Sequence, residues 1–510
     1  MAARRRAGAL PAAVLAVVMT AAAGCGSTVS AAGALSQPAR SESVGQPDGL
    51  GPGDSSNATP STVLPGSPAA ALTGGGSGDG RLASGPVTGM SSGSTAPDGR
   101  VATPTGSVGR APITIGVLAA GSFSDAAASA GGNSGTSTSG DGTMKAVLRY
   151  YEQRGGIAGR RIHAIFSTVA PTTTDYDSAL AAECAHFTQD NNVAVLLSNI
   201  GYYKDSFEAC LNAKRKPHIE GGWGLTDEAD LRRFPGYYLP NMPSYDDRFA
   251  SLVASGIQSG QLTRDSKVGV IVEDCPTIQR AYAREWQPRA RSAGLVVDEF
   301  HTKCISGAED AGQLAQDMQS AQLRFRADGV TTVMFATYPT EVNVLFFTQS
   351  ASGQKWYPKY YLDSKARVGH ESTTGNYPAD QLRNMRGVGW APALDVTKPT
   401  LTAPAQKRCL AIMKQYGINV QTGLDAELAF SACDPFFLLE AALAASRGGS
   451  EPAALQRAIE AMGSTFSASG NGAATTFSTG RHYGTALYAT WAFRAQCNCA
   501  AYSGGFRSWR

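Results

Sequence analysis

The sequence is poor in charge and, beyond its first 25 residues, in long apolar segments. Charged residues make up 17% of the 510 residues and the formal net charge is +3, with the basic residues scattered along the chain. This distribution excludes the basic stripe that a nucleic-acid partner requires. The best later apolar run, residues 330–335, has the length of a strand, whereas a membrane-spanning helix needs about 18 apolar residues or more.

Motifs for metal or covalent chemistry are also missing. The six histidines are spread along the chain, and none stands in H-x-x-x-H or H-E-x-x-H spacing. The G-x-S-x-G pattern occurs at residues 89–93, but it lies in a glycine- and serine-rich segment without the strand before it and the helix after it that a nucleophile elbow requires. The glycine-rich stretch GGGSGDG, residues 74–80, precedes no strand–helix unit, so it does not indicate a phosphate-binding loop. The sequence predicts no enzyme activity, no metal site and no cofactor.

The N-terminus has the layout of an export signal. In MAARRRAGALPAAVLAVVMTAAAGC, three arginines precede a short apolar run, residues 12–23, which ends in small residues. This run is too short to remain as a membrane-spanning helix. Its ending, AAGC, resembles the lipobox of bacterial lipoproteins, which implies that residues 1–24 are removed and that Cys25 carries the lipid. An ordinary cleaved signal with an incidental Cys25 is the alternative interpretation.

The cysteine count is consistent with an anchor at Cys25. Of nine cysteines, eight remain when Cys25 is set aside, and an oxidising compartment favours their pairing. Their proximity along the chain suggests Cys184–Cys210, Cys275–Cys304, Cys409–Cys433 and Cys497–Cys499. The last pair is the least secure, because a C-x-C loop is tight for a disulfide. A metal site at C-N-C competes with it, but no histidine or acidic cluster lies beside that motif.

Residues 25–110 are expected to form a disordered tether. They are mainly glycine, serine, proline, threonine and alanine, with almost no aromatic residues. Such a segment cannot bury enough apolar surface to offset its ordering entropy. A flexible coil of about 85 residues has a typical end-to-end distance of about 50 Å. The tether is therefore long enough to hold a domain away from a membrane.

From residue 113 onwards, apolar runs of strand length alternate with helical patterns. The first run is ITIGVLAAG, and the helical pattern MKAVLRYYEQRG follows it. Later strand-like runs are RIHAIFS, VAVLLSN, KPHIEGG, SKVGVIVED, LVVDEF, GVTTVMFAT and PKYYLDS. This alternation predicts parallel sheets covered by helices on both faces. About 400 ordered residues exceed one ordinary core, so two lobes are expected.

Polar and aromatic groups follow the ends of several of these runs. Ligands of open parallel sheets bind beyond the carboxyl ends of the strands. Hydroxyls, amides, glycine backbone and aromatic rings at these places suit a small polar ligand. The candidate positions are Gly121, Ser122, Phe123, Ser198, Asn199, Gly221, Gly222, Trp223, Gly224, Glu273, Asp274, Thr337, Tyr338, Asp363, Ser364 and Lys365.

One segment carries a family resemblance. Residues 150–166, YYEQRGGIAGRRIHAIF, give a helix, then G-G-I-x-G-R-x-I, then a strand. This is similar to the segment after the first helix in bacterial extracellular solute-binding proteins of the branched-chain amino-acid type. VLLSN, KPHIEGGWG, SKVGVIVEDCPTIQRAYAREW and GVTTVMFATYPTEVNVLFFTQSA follow in the family's order at about its spacing. The resemblance covers roughly residues 112–495.

The resemblance implies a type I periplasmic-binding fold. This is an α/β architecture of two doubly wound parallel-sheet lobes joined by a three-stranded hinge, which closes like a clamp on a ligand in the cleft. Crossovers between the lobes are then expected near residues 239–243, 388–392 and 475–483.

The implied domains follow from these crossovers. They are the signal peptide 1–24, the tether 25–110, lobe 1 in two parts (111–240 and 391–475), lobe 2 (241–390), and a return strand with the C-terminal segment (476–510). The glycine- and serine-rich stretch 125–142 is longer than the family's loop. It is either a lid at the mouth of the cleft or a surface loop without a role in binding.

The ligand contacts implied by the resemblance are carried over one position at a time. The family's hydroxyl after the third strand matches Ser198 or Asn199, and its backbone contact after the next strand matches residues 222–224. Trp223 is an unusual bulky residue in that pattern, and Tyr338 retains an aromatic residue at a strand end of lobe 2. Together with the positions after the strand ends, these matches predict the ligand-binding set Ser122, Asn199, Gly222, Trp223, Gly224, Tyr338, Asp363 and Lys365.

Lys365 departs from the family pattern. The acidic residue that faces the ligand's ammonium in amino-acid binders falls at or near this position. An α-amino acid needs an anionic partner for its ammonium, because either of its charges is costly to bury alone. A lysine here, together with Trp223, favours an acidic, amide or aromatic small molecule. In the alternative interpretation, Lys365 points to solvent and Asp363 takes the acidic role.

The resemblance implies a function in solute capture. A receptor held by Cys25 at the outer face of the cytoplasmic membrane, extracellular or periplasmic, binds a small polar solute that is amino-acid-like, an amide or a small carboxylate. It delivers this solute to the permease subunits of an ABC transporter. No nucleic-acid partner and no cofactor are implied. The alternative is a sensor that signals to a partner membrane protein without transport. An enzyme on the same fold is disfavoured, because the sequence shows no nucleophile–base pair.

Overall fold

The computed structural model describes residues 110–121, 139–170, 173, 175–199, 204–222, 224–305, 310–369 and 376–509. All of them belong to one compact unit of the chain, Asp98–Arg510. The expected signal peptide, most of the expected tether and the expected lipid attachment at Cys25 lie outside the described residues.

The first five strands form a parallel sheet. They are β1 (Ile113–Ala120), β2 (Ile162–Val169), β3 (Val195–Ser198), β4 (His218–Glu220) and β5 (Tyr237–Tyr238). Their order in the sheet is β2-β1-β3-β4-β5, which is a doubly wound order. β1 lies between β2 and β3, and Ile115 and Val117 on it are fully buried.

Helices cover this sheet. Those within the first stretch of chain are α1 (Gly140–Gln153), α2 (Tyr176–Ala185), α3 (Asp205–Ala213) and α4 (Glu228–Arg233), with a π-helical turn at His186–Asp190. Side-chain caps start several of them: Ser139 accepts from Gly142 N, and Asp175 accepts from Ser178 N. Such caps satisfy backbone N–H groups that have no partner inside the helix.

The remaining strands form a second sheet. They are β6 (Lys267–Glu273), β7 (Val296–Thr302), β8 (Thr332–Ala336), β9 (Lys359–Leu362), β10 (Met385–Gly389), β11 (Ala489–Arg494) and β12 (Cys499–Tyr502). The order is β12-β11-β10-β9-β8-β6-β7. The strands from β10 to β7 are parallel and repeat the order of the first sheet. β11 and β12 extend this sheet in antiparallel pairing.

The chain between β5 and β11 provides the other helices. Those before and among the strands of the second sheet are α5 (Tyr245–Gln258), α6 (Pro276–Ala281), α7 (Gln287–Ser292), α8 (Ala311–Ala327), α9 (Thr340–Gly353), α10 (Ala379–Leu382) and α11 (Pro392–Asp395). Short turns of other helical types are Tyr282–Trp286 (π) and Ser364–Ala366 (3-10). The last three helices are α12 (Pro404–Gln415), α13 (Gly423–Ala445) and α14 (Pro452–Glu460).

The last three helices return to the first sheet. Phe436 and Leu439 of α13 share one apolar core with Ile115 and Val117 of β1. We call the first sheet with α1–α4 and α12–α14 lobe 1, and the second sheet with α5–α10 lobe 2. Among the described residues, α13 is the one helix long and apolar enough to cross a membrane. Its most apolar 18-residue stretch has a mean hydropathy of 1.5, and 78% of that stretch is buried inside the protein.

Hydrogen bonds hold the first and third crossovers between the lobes together. Leu239, just after β5, forms a bridge with Tyr483, and its N–H donates to His482 O at 2.9 Å. Thr475 Oγ1 donates to Pro240 O at 3.0 Å. The crossovers are therefore a hydrogen-bonded hinge, as the expected fold class requires. The second crossover leaves β10 at Trp390 and leads through α11 to α12.

The described residues contain four disulfides, and they join the pairs that proximity suggests. Cys184–Cys210 links α2 to α3, and Cys409–Cys433 links α12 to α13. Cys275–Cys304 links the segment after β6 to the segment after β7. Cys497–Cys499 links the turn after β11 to the first residue of β12.

Candidate functional site: the cleft between the lobes

A small cavity lies between the lobes. Its volume is about 20 Å³, which is room for about one water molecule. The described residues that line it come from both lobes and from the crossovers. They are Gly221, Gly222, Asn241, Met242, Lys365, Trp390, Ala391, Ala393, Leu394, Glu427, Phe430 and Gly470. Of the residues expected to bind a ligand, Gly222 and Lys365 lie in this set.

Lys365 reaches across the cleft. The turn Ser364–Ala366 follows β9, and Asp363 fixes its start because Oδ1 accepts from Lys365 N at 2.9 Å. The Lys365 ammonium donates to Gly222 O of lobe 1 at 3.1 Å and lies 3.4 Å from Glu427 Oε1 on α13. The residue is only 4% exposed, so the interpretation in which it points to solvent is wrong. Burial lowers the pKa of this ammonium, against the attraction of Glu427.

Arg367 adds a second cation from lobe 2. It sits in left-handed backbone, with φ 52°, at the end of the same turn. Its Nη2 lies 3.1 Å from Glu427 Oε2, and its Nη1 lies 3.4 Å from Glu341 Oε1 on α9. Burial opposes the charge, but the carboxylates of Glu341 and Glu427 raise the pKa of Arg367 above its usual range. Glu427 of lobe 1 is thus held by two cations of lobe 2.

Asn241 supplies a polar group at the base of the cavity. It belongs to the first crossover and is 8% exposed. Its Nδ2 donates to Gly221 O at 3.3 Å, while its Oδ1 has no hydrogen-bond partner among the described residues. Trp390 and Phe430 give the same cavity apolar walls. Apolar walls with a few convergent polar groups are typical of small-molecule sites.

The glycines after β4 allow α13 to approach closely. A Cβ on Gly221 would lie 1.6 Å from Ser431 O of α13. Gly222 has φ +106°, and a Cβ there would lie 2.6 Å from Asn241 Oδ1. A side chain at Gly221 would displace α13, which carries Glu427, whereas a side chain at Gly222 would meet Asn241, so the glycine run sets how closely α13 and the first crossover approach the end of β4. Gly224, also expected at the site, packs against Tyr237 inside lobe 1.

Two other expected ligand residues, Asp363 and Asn199, have their side chains engaged elsewhere in the described structure, and a third, Tyr338, is buried. Asp363 accepts two hydrogen bonds from Arg248, so its carboxylate does not take the acidic role proposed for it. The Asn199 amide accepts from Ala120 N at 2.9 Å and donates to Gly140 O at 3.1 Å, inside lobe 1. Tyr338 is buried after β8, where its N–H donates to Glu273 Oε2 at 2.6 Å and its side chain acts on the charge of Arg367, so its expected ligand role stays a prediction.

Two further expected ligand residues, Ser122 and Trp223, lie outside the described residues. The same holds for most of the glycine- and serine-rich stretch 125–142, of which residues 139–142 are described.

The structure also contains a serine–histidine–glutamate relay that the sequence analysis missed. Ser198 Oγ lies 2.6 Å from His218 Nε2, and His218 Nδ1 lies 2.7 Å from Glu208 Oε1. The expectation that no nucleophile–base pair exists is therefore wrong, since the pair forms between β3 and β4 from residues 20 positions apart. Ser198 and His218 are fully buried, and the imidazole packs against the rings of Phe207 and Tyr237. This geometry gives a substrate no access.

One group in the described part of the chain has the spacing of metal ligands. Glu273, Cys275 and Cys304 place their ligand atoms within 4.8 Å of one another. Both cysteines are joined in a disulfide, and the ligand that a metal requires is the thiolate. In this disulfide-bonded form, the two cysteines of the cluster are therefore not available as metal ligands.

No protein-family model and no curated protein matches this chain. Solved structures do match it. A solute-binding protein of an ABC transporter from Rhodopseudomonas palustris, in complex with 4-hydroxybenzoate, has a TM-score of 0.56 and 14% identity over 78% of this chain and 97% of its own. A branched-chain amino-acid ABC transporter protein from Thermus thermophilus, with bound valine, has a TM-score of 0.53 and 15% identity over 78% of this chain and 97% of its own.

A third match has a different ligand class in its name. The fatty acid ABC transporter substrate-binding protein from Thermomonospora curvata has a TM-score of 0.53 and 15% identity over 79% of this chain and 94% of its own. At this identity the matches establish the fold. The chain has the type I periplasmic-binding-protein fold, and the resemblance drawn from its motifs is confirmed at that level.

Proposed function

We propose that this chain is an extracellular solute-binding protein that captures a small polar solute between its lobes and delivers it to the permease of an ABC transporter. The cleft carries the proposal, because polar groups from both lobes converge on it: Gly222 O and Glu427 from lobe 1, Lys365 from lobe 2. A hinged clamp responds to a ligand only if the ligand binds the closed state better, which requires contacts from both lobes.

The same groups favour an amide or small carboxylate over an ordinary amino acid. Glu427 is the acidic residue of the cavity wall in the described structure, and Lys365 and Arg367 already pair with it. An α-amino acid would need an anion for its ammonium. A carboxylate or amide solute can instead accept from these cations. Solved structures of this fold are reported with valine and with 4-hydroxybenzoate, so the fold itself is compatible with either class.

A library of small solutes tests the proposal by thermal shift. A true ligand at 100 times its dissociation constant stabilises the fold by about 2.7 kcal/mol. Hits are then measured by titration calorimetry on Asn241→Ala, which removes the polar base of the cavity, and on Asn212→Ala, an exposed position on α3. We expect affinity to fall in the first variant and to persist in the second. Equal affinities in both, or tight binding of leucine, isoleucine or valine, would contradict the site or the solute class.

The anchor is a separate part of the proposal. The lipobox-like AAGC and the tether that follows predict a receptor held through Cys25 at the outer face of the cytoplasmic membrane. Cys25→Ser should release or misprocess the chain while solute binding persists. Retention of the variant in the membrane fraction would contradict the anchor.

Uptake of the identified solute separates transport from sensing. Deleting the gene should abolish high-affinity uptake if the protein feeds a permease. Binding with unchanged uptake would favour the sensor instead.

A further inference from the structure

We propose that the lobe 1 wall of the cleft is a binding site for a primary ammonium group, and that Lys365 of lobe 2 occupies it as a tethered ligand. The inference rests on the proposed function, in that this cleft is taken as the solute site. It goes further by naming the group that the wall recognises and the residue that fills it.

Two acceptors of lobe 1 define the site. Gly222 offers a backbone carbonyl and Glu427 a carboxylate, and the Lys365 ammonium lies 3.1 Å and 3.4 Å from them. An ammonium group has three donors arranged around one atom and no acceptor. A carbonyl beside a carboxylate therefore matches it in both charge and hydrogen bonding. All of these groups are largely buried, so bulk water does not take the place of these hydrogen bonds.

A further acceptor lies in the same cavity. Asn241 Oδ1 is buried and has no hydrogen-bond partner within the described chain. Its Nδ2 is directed to Gly221 O, so Oδ1 is left as an acceptor beside Gly222. A buried acceptor without a partner is costly, which indicates that a donor or an ordered water completes the site.

Groups other than Lys365 hold the acceptors of this site in place. Arg367 pairs with the other oxygen of Glu427 at 3.1 Å, and α13 begins with a capping box formed by Thr422 and Asp425. Gly221 fixes the distance from β4 to α13, because a Cβ would meet Ser431 O. The acceptors are thus positioned by lobe 1 and by Arg367, and removal of the lysine side chain should leave a formed pocket.

This arrangement has two consequences for solute capture. Lys365 provides contacts between the lobes in the closed state, so the clamp has an ion-paired closed form that needs no solute. A solute with its own ammonium must compete with Lys365 for Gly222 O and Glu427, and the tethered group competes at a high effective concentration. Lys365 therefore selects against amine-bearing solutes.

The test uses Lys365→Ala and a probe that replaces the lost side chain. n-Butylammonium chloride carries the same ammonium and alkyl stem, and 1-butanol is its uncharged control. We expect n-butylammonium to raise the Tm of Lys365→Ala with saturation, and to bind it at least about tenfold more tightly than 1-butanol does, because hydrogen bonds to a charged group are the stronger ones. Wild type and Lys359→Ala, which removes an exposed lysine on β9, should show no saturable shift.

Glu427 is tested in the same background. Lys365→Ala combined with Glu427→Gln should lose the response to n-butylammonium. If Lys365→Ala does not fold alone, it is refolded with each compound, and recovery with n-butylammonium but not with 1-butanol supports the site. A saturable response in wild type, an equal response to 1-butanol, survival of the response in the double variant, or no response or rescue in Lys365→Ala would overturn the proposal. No natural solute enters this assay, so its failure is distinct from failure of solute capture.

Discussion

Arg248 donates two hydrogen bonds to a single oxygen of Asp363, from Nε at 2.9 Å and from Nη2 at 2.7 Å. Both side chains are buried in lobe 2, where α5 meets the end of β9. The other carboxylate oxygen accepts from Lys365 N. This pair therefore orients the turn that carries Lys365 into the cleft, and it explains why Asp363 is not available to a solute.

Removing the carboxylate charge of Asp363 should destabilise the protein strongly. Asp363→Asn leaves the Arg248 guanidinium buried without its anion, and breaking one partner of a buried pair costs about 3–5 kcal/mol. Urea denaturation measures the loss. Glu285→Gln, which breaks the partly exposed i,i+4 pair with Arg289, should cost about 0.5 kcal/mol or less. Similar losses in the two variants would show that Arg248 does not depend on Asp363.

Ser198 should be chemically inert despite its histidine partner. The hydroxyl is fully buried, and a nucleophile must reach its substrate before its activation matters. We expect no covalent labelling of the folded protein by a fluorophosphonate, and no ester hydrolysis above that of Ser198→Ala. Labelling that disappears in Ser198→Ala would instead reveal a catalytic serine.

We expect His218 to make the free energy of unfolding depend on pH at values above the usual pKa of histidine. Burial lowers the pKa of this imidazole, but the charge and hydrogen bond of Glu208 outweigh burial, and the pKa is raised above 6.5. The stabilisation is full below the unfolded pKa and is lost as pH rises through the folded pKa. Each unit of pKa shift corresponds to about 1.4 kcal/mol.

Glu208→Gln isolates this effect. The deficit of the variant in unfolding free energy should be larger at about pH 6 than at about pH 8.5. Glu183→Gln is the control, because Glu183 bonds to Ser167 and not to a histidine. A pH-independent deficit in Glu208→Gln would contradict a protonated His218.

The strands that the sequence indicates most directly are those with long apolar runs. ITIGVLAA and KVGVIVE are buried along nearly their whole length, and parallel strands covered on both faces carry this pattern. The prediction missed β5, which has two residues, β10, whose sequence MRGVG has little apolar content, and β12 at the end of the chain. The sheet places these strands through their neighbours, and no local pattern reports that.

The site was predictable only where local sequence sets the geometry. Gly222 and Lys365 follow strands, and parallel strands bring such positions to one edge. Glu427 was missed because it stands in a long, mainly apolar helix that also carries three other acidic residues, and the local sequence does not mark which of the four faces the cleft. His218 was missed because its partners come from β3 and α3. Both residues acquire their roles from the tertiary fold.

A methyl group at Gly221 should be strongly destabilising. Its Cβ would lie 1.6 Å from Ser431 O, a backbone atom of α13. Overpacking of a filled core typically costs about 1–3 kcal/mol. Gly221→Ala should therefore lower the denaturation midpoint, whereas Gly312→Ala, with no atom close to its Cβ, should not. An unchanged midpoint in Gly221→Ala would contradict the close approach of β4 and α13.

Glu273 should impose a second, separable pH dependence. Burial raises its pKa from 4.5 to about 8, against the hydrogen bonds that it accepts from Ile305 N and Tyr338 N. Between these two values the native state holds a proton that the unfolded state has released. The unfolding free energy therefore falls as pH rises across this window, by up to about 1.4 kcal/mol per pH unit.

Glu273→Gln removes the titrating group, so its stability should fall less steeply between about pH 5 and about pH 8 than that of wild type. The slope is the readout, because the amide also replaces one of the two acceptor oxygens and lowers stability at every pH. Glu285→Gln, at a partly exposed carboxylate, should retain the wild-type slope. Parallel slopes in wild type and Glu273→Gln would mean that Glu273 is ionised in the folded protein throughout this range.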